Sequence, residues 1–67
     1  KTSNIALARQ VGMYLCRKIL TCSFPEIGSF FGGRDHSTVI YACKQIDERI
    51  NEDDSFRREL EQIEKSL

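Results

Sequence analysis

The sequence predicts an all-α fold, a small single domain of four helices, and three observations carry that expectation. Apolar residues recur at three- and four-residue steps along the chain, the period of a helix face, and no stretch alternates apolar and polar residues as a half-buried strand would. The one proline stands where a helix begins, not inside one. Sixty-seven residues make one domain at most. A chain of that size hides only about 60% of the surface it exposes when unfolded, too little for a deep substrate cavity beside its own core.

The first helix is expected from about Asn4 to Leu20, with Ser3 or Asn4 as N-cap. Ile5, Ala8, Val11, Leu15 and Ile19 form its apolar stripe, expected to be buried, while Arg9, Arg17 and Lys18 lie off that stripe in solvent. The second helix opens at Ser23-Phe24-Pro25-Glu26. Ser23 can cap, Glu26 can reach back to it, and Pro25 sits in the first turn, where its missing N–H costs nothing. Phe24, Ile27, Phe30 and Phe31 make this helix short and strongly apolar, and Gly32-Gly33 stops it with a left-handed residue. The third runs from Asp35, its expected N-cap, to about Ile50, with Val39, Cys43, Ile46 and Ile50 as the buried seam. Asn51-Glu52-Asp53-Asp54 breaks the pattern, and a last helix follows with Phe56, Leu60, Ile63 and Leu67 on one face.

Composition excludes several classes. At 40% hydrophobic and 30% charged residues, no run is long enough to span a bilayer. Lys1-Thr2-Ser3-Asn4 leads into an amphipathic stretch unlike a signal peptide, so a cytosolic protein, or a piece of one, is expected. The net charge of zero hides a split. Up to residue 45 there are six basic and two acidic residues, net +4, and beyond it four basic and eight acidic, net −4. A basic front part suits a polyanion, although ordinary surface charge can also divide this way. Cys16, Cys22 and Cys43 are odd in number, so a disulfide framework is not expected. With His36 they make four possible zinc ligands, but the spacing of Cys16 and Cys22 is not that of a usual knuckle, and small buried thiols are the expectation. One histidine, no paired carboxylates on one face and no nucleophile–base pair argue against an enzyme. The chain has no phosphate-binding loop motif, and no cofactor is expected in it.

The informative block is Ser23 to Ala42: a short apolar helix, a glycine turn and a longer helix, the outline of a helix-turn-helix. In that geometry the second helix enters the major groove of DNA and its first residues meet base edges. Here those residues are Arg34, Asp35, His36, Ser37 and Thr38, five polar side chains in a row. Arg34 can donate to phosphate or guanine and Asp35 can accept from a cytosine amino group. His36, Ser37 and Thr38 can serve either, and the Thr38 methyl can meet a thymine methyl. A plainer reading stands beside each: Asp35 as nothing but an N-cap, Thr38 in local hydrogen bonding, His36 as a surface histidine.

Ile27-Gly28 through Phe31-Gly32-Gly33-Arg34-Asp35-His36-Ser37-Thr38-Val39-Ile40 resembles the signature of the C-terminal domain (domain IV) of the DnaA family, the bacterial chromosomal replication initiators. Arg9 to Arg17 resembles the helix before it, and Ser23 to Ile27 the family's Ser-Leu-Pro-Glu-Ile. The resemblance implies one helix-turn-helix domain over residues 1–67, a fragment of a longer protein, binding short asymmetric DnaA boxes at the replication origin. It places Asp35, His36 and Ser37 at base-reading positions, with Arg34 and Thr38 as supporting contacts. Arg9, Gln10, Arg17, Ser23, Phe24 and Pro25 fall at phosphate-contacting positions. Lys1 falls where a basic loop enters the adjacent minor groove. ATP and magnesium, and self-assembly, belong in this resemblance to domains of the parent protein outside the chain. Ser37 stands where the family usually has threonine, Leu7-Ala8-Arg9-Gln10 where it has Arg-Pro-Arg-Gln, and the basic loop is reduced to Lys1-Thr2-Ser3-Asn4. Lysine is a poorer minor-groove probe than arginine, being more strongly hydrated and without the planar fork.

Two other classes fit the residues. One is a dimeric helix-turn-helix regulator similar to the tryptophan repressor's DNA-binding region, which would need a self-association surface. The other is a helical protein–protein module docking through Phe56, Leu60 and Ile63 of the acidic last helix.

Overall fold

The computed structural model describes residues 2–67, with side chains from Ile5 onward. Four helices follow in order, α1 (Thr2–Ile19), α2 (Phe24–Phe30), α3 (His36–Glu52) and α4 (Asp54–Ser66), as an all-α domain. α3 is the spine. Its 17 residues rise about 26 Å at 1.5 Å each, nearly the 31 Å of the molecule's longest extent, and α1, α2 and α4 all pack against it.

The core is small. Met13 of α1, Ile27 of α2, and Val39 and Ala42 of α3 are buried together, ringed by the half-buried Cys16, Cys22, Phe24, Phe31 and Cys43. Ile46 and Leu60 continue it toward α4. The α3 seam holds as expected, with Ala42 added. The three thiols are free and half-buried against the core; burial raises the Cys16 and Cys43 thiols above their ordinary range.

α1 corrects the sequence reading. Of the stripe expected to be buried, Val11 and Leu15 are half-buried but Ala8 is exposed and the ends stand open, Ile5 62% and Ile19 43% exposed, whereas Met13, on the other side of the helix, is 1% exposed. Met13 stands between Arg9 and Arg17 at four-residue steps, so periodicity placed it off the apolar stripe. Two residues of the stripe, Ala8 and Val11, wall an apolar groove with Leu7, opposite Phe56, Leu60 and Ile63 of α4. The helix also begins earlier than expected, at Thr2, so Ser3 and Asn4 lie inside it and not at its cap, and no loop precedes Ile5 over residues 2–4. On α4, Leu60 is buried and Phe56 half-buried, but Ile63 and Leu67 stay open to solvent.

α1 ends where Thr21 takes a left-handed φ of 54°. The amides of Leu20 and Cys22 both return to the Cys16 carbonyl, at 3.2 and 3.4 Å. α2 opens with the expected capping box: the Glu26 amide donates to Ser23 Oγ (3.2 Å) and the Ser23 amide to Glu26 Oε1 (2.9 Å). That amide holds the Glu26 carboxyl below the usual carboxylate range. Beyond Phe31, Gly32 (φ 87°) and Gly33 (φ 74°) both adopt the left-handed backbone that glycine alone takes easily.

The break expected over Asn51 to Asp54 is far shorter. α3 continues to Glu52, and Asp53 alone separates it from α4. Its amide donates to the Arg49 carbonyl (2.8 Å), ending α3, and its carboxylate accepts the Phe56 amide (3.1 Å), starting α4. No described helix is long and apolar enough to cross a membrane.

Candidate nucleic-acid interface

The glycine turn brings the two helices of the motif into close register. The Arg34 amide donates to the Gly28 carbonyl at 2.9 Å, folding the turn back onto α2. Gly28 is buried, and a Cβ there would collide with the backbone carbonyl oxygen of Arg34. The sequence reading missed this residue. Its signal was a glycine inside a short apolar helix, a place where glycine costs helix stability and so calls for a packing reason.

From that turn Arg34, Asp35, His36, Ser37 and Thr38 emerge side by side and fully on the surface. Asp35 occupies the N-cap position of α3 with extended backbone (φ −61°, ψ 143°), but its side chain makes no capping bond. The carboxylate instead accepts the Ser37 hydroxyl at 2.6 Å and stands 3.5 Å from His36 Nδ1. That corrects the expected cap: a hydroxyl two residues on wins the carboxylate that the helix amides would otherwise hold. The Ser37 bond keeps the Asp35 carboxyl below its ordinary range, so it is an acceptor at neutral pH. The amides of Thr38 and Val39 return to the Asp35 carbonyl at 3.0 and 3.4 Å. The amides of His36 and Ser37 lie near that carboxylate and help lower it, but no side chain makes a full capping bond at this positive end of a 17-residue helix dipole.

A second group sits where α1 hands over to α2. The Arg17 guanidinium lies over the Phe24 ring, 4.4 Å from its centroid, and donates one bond to the Cys22 carbonyl oxygen (3.0 Å). One of five donors is used, so the fork is aimed and the rest are available. Ser23 is engaged in its capping box, Phe24 is half-buried beneath Arg17, and Pro25 is exposed in the first turn of α2. The structure thus brings Arg17, Ser23, Phe24 and Pro25 together, and Arg34 to Thr38 together.

Arg9 and Gln10 stand apart from both groups. They lie seven or eight residues before Arg17, about 11 Å along α1. Both are half-buried, and Gln10 lines an open groove with Gln45, Arg49 and Asp53. Lys1 lies outside the described residues. Lys18 is tied to Glu64 of α4 at 3.1 Å and belongs to the other side of the domain. The described surface also holds three large apolar side chains on the two motif helices: Phe30 (65% exposed), Ile40 (42%) and Tyr41 (59%).

Comparison with known proteins agrees with this motif. The family described as "Bacterial dnaA protein helix-turn-helix" matches residues 1–46, from α1 to the middle of α3. Over all 67 residues the chain is 51% identical to the chromosomal replication initiator protein DnaA of Streptococcus mutans serotype c. It is 49% identical to the protein of that name from Streptococcus pyogenes serotype M5. It spans 15% of the length of each. No solved structure matches. With the motif matched across most of its length and half its residues shared with these relatives, the chain belongs to the bacterial DnaA helix-turn-helix family.

Proposed function

We propose that this domain binds double-stranded DNA sequence-specifically at the short asymmetric DnaA boxes of a chromosomal replication origin, and so takes part in initiating and regulating replication in the bacterial cytoplasm. The observation that carries the reading is the row of five exposed polar side chains, Arg34 to Thr38, at the uncapped start of α3 beyond a glycine turn.

In this reading α3 enters the major groove by its N-terminal end. Asp35, oriented by Ser37, accepts from a cytosine amino group, and His36 and Ser37 meet neighbouring base edges. Arg34 and Thr38 support them, largely on the backbone. A phosphate oxygen takes the two amides and completes the cap that the chain leaves open. Arg17 and the start of α2 at Ser23, Phe24 and Pro25 hold the phosphates on one side, Arg9 and Gln10 those further along. Lys1 reaches the adjacent minor groove. Such a module covers about 600–1,000 Å² of its own surface on DNA. The domain itself is non-catalytic. Nucleotide chemistry with ATP and magnesium, and self-assembly, reside in the remaining length of proteins of this family.

Fluorescence anisotropy with a labelled duplex carrying one box, against a scrambled duplex and across a salt series, tests the reading. A preference for the box of at least about a thousandfold at physiological salt is expected. Equal, salt-labile binding to both duplexes would refute it.

A further inference from the structure

We infer that the DNA-facing stripe of α3 runs on past Thr38 to Tyr41 and Lys44, two contacts to the sugar–phosphate backbone, and ends at Asp47 and Glu48. The inference rests on the DNA-binding reading above.

The buried edge of α3, Val39, Ala42 and Ile46, fixes how the helix is turned. At 3.6 residues per turn, Ser37, Tyr41, Lys44 and Glu48 fall on the opposite side, at successive four-, three- and four-residue steps. All four are exposed. Tyr41 leaves 59% of itself in solvent although its ring is mostly apolar. Lys44 makes no ion pair among the described residues, whereas Lys18, Arg57 and Arg58 are each held by a carboxylate. A cation without an ion pair and a largely exposed phenol, one and two turns beyond Ser37 and on its side of the helix, form a surface suited to a polyanion.

The dimensions agree. From Ser37 to Lys44 the helix rises about 10 Å, against a major groove about 12 Å wide. A helix entering by its N-terminal end sets Ser37 against bases and brings the next two turns up to the groove's rim. There the Tyr41 hydroxyl donates to a phosphate oxygen and its ring covers a sugar, while the Lys44 ammonium neutralises one phosphate. At the following turn the sign reverses: Asp47 and Glu48 are exposed carboxylates, which phosphates repel. The footprint stops where the charge changes.

The test compares Tyr41→Phe, Lys44→Gln and Glu48→Gln in the anisotropy assay, with box and scrambled duplexes and a salt series. All three side chains are on the surface, and circular dichroism checks that each variant is folded. Tyr41→Phe should weaken both duplexes alike, by about tenfold. Lys44→Gln should weaken both and flatten the slope of log affinity against log salt by about 0.9. Glu48→Gln should leave that slope unchanged. An unchanged affinity in Tyr41→Phe, an unchanged slope in Lys44→Gln, or a changed slope in Glu48→Gln would overturn the footprint. These readouts are separate from box preference. A wild type that ignores the box, while Lys44→Gln still flattens the slope, refutes the origin reading and leaves the backbone contacts standing.

Discussion

Asp35 stands at the cap of α3, yet its carboxylate turns to the Ser37 hydroxyl and makes no capping bond to the first amides. Two outcomes follow. In a carbon-13 titration of the carboxyl, Asp35 should protonate below the ordinary aspartate range, and Ser37→Ala should move its midpoint upward. A folded-state value below the unfolded one contributes stability above the unfolded pKa of about 3.9 and loses it as pH falls through the folded value. Because the group is fully exposed, solvent screens that contribution. On DNA, Asp35→Ala should lose about tenfold to a hundredfold of the preference for the box while keeping most of its binding to scrambled duplex. Gly28 is the second residue to try. Alanine there meets the Arg34 backbone, which no side-chain rotation can move aside. Gly28→Ala should therefore cost at least the roughly 1–3 kcal/mol of an overpacked site and, unlike other destabilising changes, displace the reading residues. Gly32→Ala meets nothing within 4 Å and should cost only the strain of its left-handed backbone, about 1–2 kcal/mol. Urea denaturation of the pair separates collision from strain.

At the scale of elements, the caps make the sharper comparison. Asp53 and Asp35 are the same residue at the same position before a helix, but only Asp53 accepts a backbone amide. Asp53→Ala should lower domain stability by about 1 kcal/mol in urea denaturation, and Asp35→Ala should leave the midpoint nearly in place. An equal loss in both would mean that the Ser37 bond is no substitute for capping. The contrast also marks what the sequence could tell. Ser23 with Glu26 three residues on, and Gly32-Gly33 after a short apolar run, are local patterns whose partners lie within one turn, and both formed as expected. Asp35 had two partners within reach, its helix amides and Ser37, and residue type does not rank them. For α1 the difficulty was different. Met13 has Arg9 and Arg17 four residues to either side, so it lay off the apolar stripe in the sequence, and it is buried by α2 and α3, far away along the chain. Tyr41 and Lys44 were readable as a continuation of Ser37, but only once Val39, Ala42 and Ile46 had fixed which way the helix is turned.

For the whole molecule, the charge split maps onto the fold. Lys44 and the aimed fork of Arg17 lie in the basic first two thirds of the chain, while the acids gather from Asp47 onward through α4. In the proposed binding mode a neutral protein should therefore still show the steep salt dependence of a cationic one, because a duplex would meet only one end. Arg9 tests how far that end extends, since it stands well along α1 from Arg17 and is half-buried. Arg9→Ala should weaken box and scrambled duplexes alike and flatten the salt slope by about 0.9. A loss confined to the box would make Arg9 a reader of sequence instead.

One residue, Asp53, joins α3 to α4, and it is bonded on both sides, to Arg49 behind and Phe56 ahead. The Arg49 guanidinium also lies over the Phe56 ring, 4.7 Å from its centroid, as a brace across the bend. A one-residue bend held by two hydrogen bonds and a brace fixes the angle between the helices in this structure, so α4 follows whatever bearing α3 takes. On a site without two-fold symmetry that bearing tells upstream from downstream. A row of such domains on sites pointing the same way would be a polar track, its outer helices all slanted in one direction like the barbs of a feather.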